Sequence, residues 1–225
     1  MRVARKNLRA LGGKPLLQWA IESARGAGCL DRVVVSTEDA EAAKVARACG
    51  ADVPFTRPEH LARDPYGVVD VCLHALDALE AQGDTYSHLV TLLPTSPFRR
   101  AQHVREAVDR FHAAGAAFLM SVTQLDSSLL LAHVARGAFM EPLHPEWLGR
   151  LGARAKKEEL PTLVKSNGAV VVADVQRLRA ERNYYVYPLA YYAMPEPAGL
   201  DIDTEEDLKY AEFLLESGRV PEAAA

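Results

Sequence analysis

Short β-branched runs alternate with amphipathic segments of helical length along the first half of the chain, and this rhythm restricts the fold most. Residues 15–27 place Leu16, Leu17, Ala20, Ile21 and Ala24 on one helical face, with Gly26 and Gly28 near its end. Val33-Val34-Val35-Ser36 is a continuous apolar run suited to a strand buried on both faces. Residues 39–49 read as a helix closed by Gly50, and residues 53–55 as a short strand or extended segment. Residues 67–82 repeat Val68, Cys72, Ala75, Leu76 and Leu79 at helical spacing. A strand over 88–93, a helix over 101–114 stopped by Gly115, and a strand over 117–122 follow. Strand–helix–strand units of this length predict an α/β fold, a mainly parallel sheet with helices on both faces. Ligands of such sheets bind at the carboxyl ends of the strands. Ser36-Thr37 and Pro94-Thr95-Ser96-Pro97 both directly follow predicted strands and are expected to line one cleft.

From 124 to 165 the rhythm breaks. The stretch holds Leu129-Leu130-Leu131, Phe139, Met140, Trp147 and several prolines without clean alternation. Two readings stand: a surface excursion, or an arm that buries its apolar residues against a second subunit. Strand character resumes at 168–173 and again at 184–192, and residues 204–217 form a terminal helix. The organisation expected is one domain over 1–225 with 124–165 as a dimerisation insertion.

The 225 residues carry 26 Lys plus Arg against 30 Asp plus Glu, a formal charge of −4, so no basic field invites nucleic acid or a membrane surface. Any anionic ligand must therefore meet a local basic cluster. No apolar stretch is long enough to span a bilayer, and no apolar signal core follows the basic start, which places the chain in the cytoplasm by default. Cys29, Cys49 and Cys72 stand about twenty residues apart without a Cys-x-x-Cys pair, so they are expected to be small buried hydrophobes or inert thiols.

The strongest local signal is Leu200-Asp201-Ile202-Asp203-Thr204-Glu205-Glu206-Asp207. Thr204 fits a helix N-cap, and the three acids after it favour a helix N-terminus. Asp201 and Asp203 lie outside that account. In an extended segment alternate residues share a side, so both carboxylates converge while Ile202 turns inward. Two hard oxygen ligands of this kind suit Mg²⁺, although Asp-x-Asp is common for other reasons. Arg5-Lys6-Asn7 is either a frayed basic terminus or a compact anion contact. Arg57 and Arg99-Arg100 follow predicted strands, where they are either solvated charges or bidentate phosphate contacts. Neither a Gly-x-Ser-x-Gly elbow, a Walker loop nor histidine metal spacing occurs.

Taken in order, Arg5-Lys6-Asn7 with Leu11-Gly12-Gly13-Lys14-Pro15-Leu16, Asp31 through Thr37, Arg57-Pro58-Glu59-x-Leu61-Ala62-x-Asp64 and Leu92 through Arg99 form a series. Leu160-Pro161, Asn167-Gly168-Ala169 and Asp201-Ile202-Asp203-Thr204 complete it. The series resembles the acylneuraminate cytidylyltransferase family, the CMP-sialic acid synthetases and their relatives for other nonulosonic acids. The resemblance implies a Rossmann-like nucleotidyltransferase, working as a homodimer, in which the anomeric hydroxyl of a sugar acid attacks the α-phosphate of CTP and pyrophosphate leaves. It implies Mg²⁺ on Asp201 and Asp203, catalysis by these two with Lys6, and nucleotide contacts from Arg5, Lys6, Asn7, Ser36 and Arg57. Thr95, Ser96, Lys157, Asn167, Tyr184 and Tyr185 would face the sugar acid. CTP and the sugar acid are the expected partners.

The series also departs from the family pattern. A first strand and an Ala-Arg-x-Gly-Ser-Lys-like loop ordinarily precede the Lys-Asn pair, so the start is expected to be an internal methionine or the loop to be lost. Leu93 stands where glutamine is usual, Val171 where tyrosine is usual, Lys157-Glu158 for an arginine-glutamine pair, and Pro65-Tyr66-Gly67-Val68 for a hydroxyl-rich stretch. These changes favour a sugar acid other than N-acetylneuraminate, or a catalytically impaired nucleotide-binding or scaffold relative. A glycosyltransferase, which also uses Asp-x-Asp, is disfavoured because that motif commonly lies mid-chain.

Overall fold

A computed structural model describes residues 5–152 and 160–220. A minimal hairpin, β1 (Ala10–Leu11) and β2 (Lys14–Pro15), turns through Gly12 and Gly13 at positive φ. Then come α1 (Leu16–Ala27), α2 (Ala40–Ala48), α3 (Val68–Glu80), β3 (His88–Thr91), α4 (Ala101–Ala114) and β4 (Phe118–Leu125). After these lie β5 (His133–Arg136), β6 (Phe139–Pro142), α5 (Pro145–Gly152), β7 (Leu163–Asp174), α6 (Val175–Glu181), β8 (Ala190–Ala193) and α7 (Glu205–Glu216).

The central sheet has the order β3-β7-β4-β8. β8 runs parallel to β4, while β7 runs antiparallel to both β3 and β4. Three strands thus share one direction and β7 opposes them, so the α/β sheet is mixed. The reason lies in the connection: β4 ends at Leu125 and β7 begins beside it at Leu163, an antiparallel pairing that needs no helical crossover. Along the strands, alternate residues serve opposite faces. Phe118, Met120, Val171 and Ala173 meet Cys72, Leu73 and Leu76 of α3 and Leu178 of α6. Leu119, Val170 and Val172 meet Val104, Ala107 and Phe111 of α4 on the other face. Each Val, Leu, Met or Phe side chain among them gains roughly 1.5–3 kcal/mol by burial, and helices cover both faces as the alternation requires.

Three segments with strand character come out differently. Among the described residues Val33–Val35 makes a single parallel bridge, Val34 to Asp52, and joins no strand of the central sheet. Val33 and Val35 pack instead with Leu17 and Ile21 of α1 and Ala42 and Ala46 of α2. Residues 53–55 likewise form no strand, and of 184–192 only the end enters β8. The interrupted stretch over 124–165 forms the β5–β6 hairpin and α5, with Phe139 81% and Met140 69% exposed. Among the described residues no helix is long and apolar enough to cross a membrane.

Candidate active site

The α7 helix docks through Leu208, Ala211 and Leu214 onto Leu11, Leu16 and Phe98, and Ile202 is fully buried in the same cluster. Burial of Ile202 fixes the extended stretch before α7, so Asp201 and Asp203 emerge on its other side. Thr204 caps the helix by accepting from the Asp207 backbone N–H at 3.2 Å. Asp207 in turn accepts from the backbone N–H groups of Asp203 and Thr204 at 3.0 and 2.8 Å, and these hydrogen bonds hold its carboxyl below the usual range.

Both aspartates lie near Lys6. The Lys6 ammonium donates to Asp203 Oδ1 at 2.7 Å. Asp201 accepts from the Thr95 hydroxyl, and Lys6 acts on its charge as well. Burial is nevertheless the larger influence on Asp201 and, with repulsion from Asp203, raises its pKa above the ordinary carboxylate value. A backbone bond from Ile202 N–H to Thr95 C=O, 2.8 Å, ties the aspartate stretch to the turn after β3. Sequence spacing thus anticipates the convergence of Asp201 and Asp203; the Thr95 contact, 106 residues away, carries no local signal.

The N-terminal turn joins this cluster to a second one. Arg5, at φ 47, donates to Asp39 at 2.9 Å and Glu41 at 2.8 Å, while Lys6 beside it reaches Asp203. Arg5 is the main reason the Asp39 carboxyl lies below its usual range, and Asp39 also caps α2. Arg57 forms an ion pair with Glu38 through Nε at 2.9 Å and through Nη2, and its backbone N–H donates to Thr37 C=O at 3.1 Å. Asn7 is exposed, and the buried Ser36 Oγ has no partner among the described residues. The basic groups expected to meet nucleotide are therefore held by carboxylates, and Glu38, Asp39 and Glu41 are the neighbours that sequence reasoning missed. Their crowding just after Ser36-Thr37 was the available clue.

On the side expected to face sugar, the residues separate. Thr95 is buried against Asp201, whereas Ser96 is 1% exposed and its Oγ has no partner among the described residues. Ser96 thus lies in the interior instead of facing a ligand, because Pro97 and Phe98 beside it are drawn into the core. Asn167 is likewise occupied internally: it accepts from Ser121 Oγ at 2.5 Å and donates to Thr123 Oγ1 at 3.0 Å. There it holds the register shift between β4 and β7, with Gly199 packed so closely that a Cβ would sit 2.5 Å from its amide. Tyr184 belongs to the α3-side core, its hydroxyl bonded to Thr91 at 2.9 Å and Cys72 at 3.3 Å, with burial raising its pKa. Tyr185 stays exposed, its hydroxyl 3.0 Å from Ser166 Oγ. Lys157 lies outside the described residues.

Arg99 differs from both sequence readings, since it is neither a solvated charge nor a phosphate contact at the surface but is 2% exposed. Of the cysteines, Cys72 is buried, while Cys29 is exposed and Cys49 half-buried. A surface cavity of about 400 Å³ among His88, Phe111, His112 and Arg177 lies at the start of β3, away from the turn that carries Thr95.

Two carboxylates on one side of an extended stretch, a hydroxyl beside one and a lysine beside the other form an oxygen-rich corner with negative charge in excess. Among the described residues no group of three or more His, Cys, Asp or Glu converges as a closed metal cage. Such a corner handles a polyanion whose own oxygens complete the coordination of a hard cation. A sequence profile of the cytidylyltransferase family matches residues 1–139, and the chain belongs to that family of nucleotidyltransferases. It is 26% identical over 214 residues to a pseudaminic acid cytidylyltransferase of Campylobacter jejuni, covering 95% of this chain and 90% of that protein. It is 29% identical over 219 residues to a CMP-N,N'-diacetyllegionaminic acid synthase of Legionella pneumophila, covering 96% and 91%. Among solved structures, CMP-2-keto-3-deoxy-manno-octonic acid synthetase complexed with CTP superposes with a TM-score of 0.66 at 14% identity, covering 96% of this chain and 93% of that one. The nucleotidyltransferase fold and the family drawn from the motifs are thereby borne out.

Proposed function

We propose that this chain transfers CMP from CTP to the anomeric hydroxyl of a nonulosonic, sialic-acid-like sugar acid, releasing pyrophosphate. The observation that carries this reading is the convergence of Asp201, Asp203 and Lys6 beside Thr95. Asp201 and Asp203 would hold Mg²⁺, which supplies charge neutralisation and orientation of the triphosphate when bound. Lys6, released from Asp203, turns its ammonium to phosphate. Arg5, Asn7, Ser36 and Arg57 contact the nucleotide, with Glu38 steadying the Arg57 guanidinium. Thr95, with Tyr185 and Lys157, faces the sugar acid. In-line attack on a bound triphosphate asks for positioning and charge compensation more than for a protein nucleophile. The two relatives act, by their names, on pseudaminic and legionaminic acids, which supports a sugar acid of that class. A homodimer formed through the β5–β6 arm completes the reading.

The test is pyrophosphate release from CTP with pseudaminic, legionaminic and N-acetylneuraminic acids, with and without Mg²⁺. Release that needs both CTP and Mg²⁺, and that falls by at least about 10²-fold in Asp203→Ala, is the expected result. Asp203→Ala equal to wild type would overturn it. The burial of Ser96 and the internal hydrogen bonds of Asn167 and Tyr184 support a second reading, a catalytically impaired nucleotide-binding or scaffold relative. Measured turnover by this chain removes that alternative.

A further inference from the structure

The Pro94-Thr95-Ser96-Pro97 turn brings Thr95 to Asp201, yet its own hydrogen bonds are poor. Ser96 N–H to Leu93 C=O and Arg99 N–H to Ser96 C=O both measure 3.4 Å, beyond the ordinary range. What braces it is the side chain of Arg99. Nη1 donates to Leu93 C=O at 3.1 Å, the residue that opens the turn, and to Ala169 C=O of β7 at 2.6 Å. Nε donates to Ser23 Oγ of α1 at 3.2 Å, and Ser23 is itself buried. One planar group thus joins a helix, a strand and the turn.

The arrangement is costly. Among the described residues no carboxylate pairs with this guanidinium, Nη2 has no partner, and burial alone pushes its pKa down to about 9. A buried charge without a counter-charge, and a buried donor without an acceptor, both weigh against the folded state. An apolar side chain of similar length would suit the packing better. A residue retained against that cost needs another reason.

We propose that Arg99 is a positioning residue: from beneath the turn it fixes Thr95, and through Thr95 the Asp201 carboxylate, without touching substrate. Lysine cannot replace it, because a single ammonium does not span carbonyls on two elements and a hydroxyl on a third. The inference rests on the reading of Asp201 as part of the active site.

The test compares wild type with Arg99→Met and Arg99→Lys by thermal melting, amide hydrogen exchange and Mg²⁺ dependence of turnover. Arg99→Met is expected to melt at or above the wild-type temperature. Its Ser96 and Ile202 amides, which donate to Leu93 C=O and Thr95 C=O, should exchange at least about tenfold faster while those of β4 and β7 do not change. The Mg²⁺ needed for half-maximal pyrophosphate release should rise about tenfold, Arg99→Lys should not rescue it, and combination with Thr95→Val should add little further. Unchanged exchange in the turn overturns the proposal, as does a fall in melting temperature with deprotection throughout the sheet, which marks a merely structural side chain. Should Arg99→Met fail to fold, Arg99→Gln, which keeps one donor, is read by the same criteria, and failure of both overturns the proposal. Exchange is read without turnover, so a wild type that releases no pyrophosphate removes the functional reading alone.

Discussion

Asp201 and Asp203 sit two residues apart, but their surroundings treat them differently. Asp203 has Lys6 at 2.7 Å, whereas Asp201 is partly desolvated beside a hydroxyl, and its pKa is raised. A carboxyl with a raised pKa resists ionisation in the folded chain more than in the unfolded one. Below the usual carboxylate value, about 3.9, both states are protonated and nothing is lost. As pH rises through that value and then the raised one, the folded state loses stability relative to the unfolded. Asp201→Asn keeps an acceptor for Thr95 and removes the charge, so without Mg²⁺ it should melt above wild type at pH 7. The gain should shrink as pH falls toward 4, and turnover should be lost at every pH. Melting curves across that range check the sign; an Asn variant less stable than wild type at pH 7 would contradict the desolvated placement. Period-two alternation was enough to read this pair from Asp-Ile-Asp, because Ile202 has only the core to turn to. Ser96, Asn167 and Tyr184 carry polar groups that motif order assigns to a ligand, yet Ser96 and Tyr184 are buried and half-buried Asn167 is bonded internally. Ser96 follows Pro97 and Phe98 into the core, whereas Asn167 depends on the β4–β7 register shift and Tyr184 on α3, neither of which is local to the residue.

Elements set by short-range signals form where the sequence places them. α1 ends at Gly28 and α4 at Gly115, both left-handed, and α7 begins at Thr204. The Thr204 cap holds the helix and also the backbone between Asp203 and Asp207, so the cap lies within the site. Thr204→Ala should cost about 1 kcal/mol, which for a chain of this size lowers the melting temperature by roughly 2–4 °C. It should also weaken Mg²⁺-dependent turnover, since Asp203 N–H loses the acceptor that Thr204 keeps in place. Thr204→Ser should restore both, and melting and turnover that fail to move together would separate the cap from the site. Strand partners lay beyond such signals. The Val33–Val35 run has the composition of a buried strand, but composition does not supply a neighbour, and among the described residues only Asp52 pairs with it. The opposed direction of β7 was equally hidden, because it follows from where β7 begins, beside the end of β4, and not from the apolar pattern of β7.

The sheet and its helices close their own core, while the β5–β6 arm does not. Phe139, Met140 and Leu143 project apolar surface from one hairpin, and Leu129, Leu131 and Val134 are exposed close by in sequence. Exposed clusters of this kind are uncommon on monomers and mark interfaces. The hairpin itself has little to hold it apart from its own ladder and the residues around Leu130, the one leucine of its run that is buried. Two-stranded hairpins are marginal alone, so a second copy seated on this face would complete the core that the arm lacks. Wild type should therefore run as a dimer in light scattering at micromolar concentration. Phe139→Glu combined with Met140→Glu should shift it to monomer, since two charges per subunit at the centre of an apolar contact go unpaired. The central sheet, which makes no use of these two side chains, should keep its melting transition, although the arm should become more open to protease. A wild type that is monomeric, or a double variant that remains dimeric, would leave the arm's apolar face without the partner argued for it.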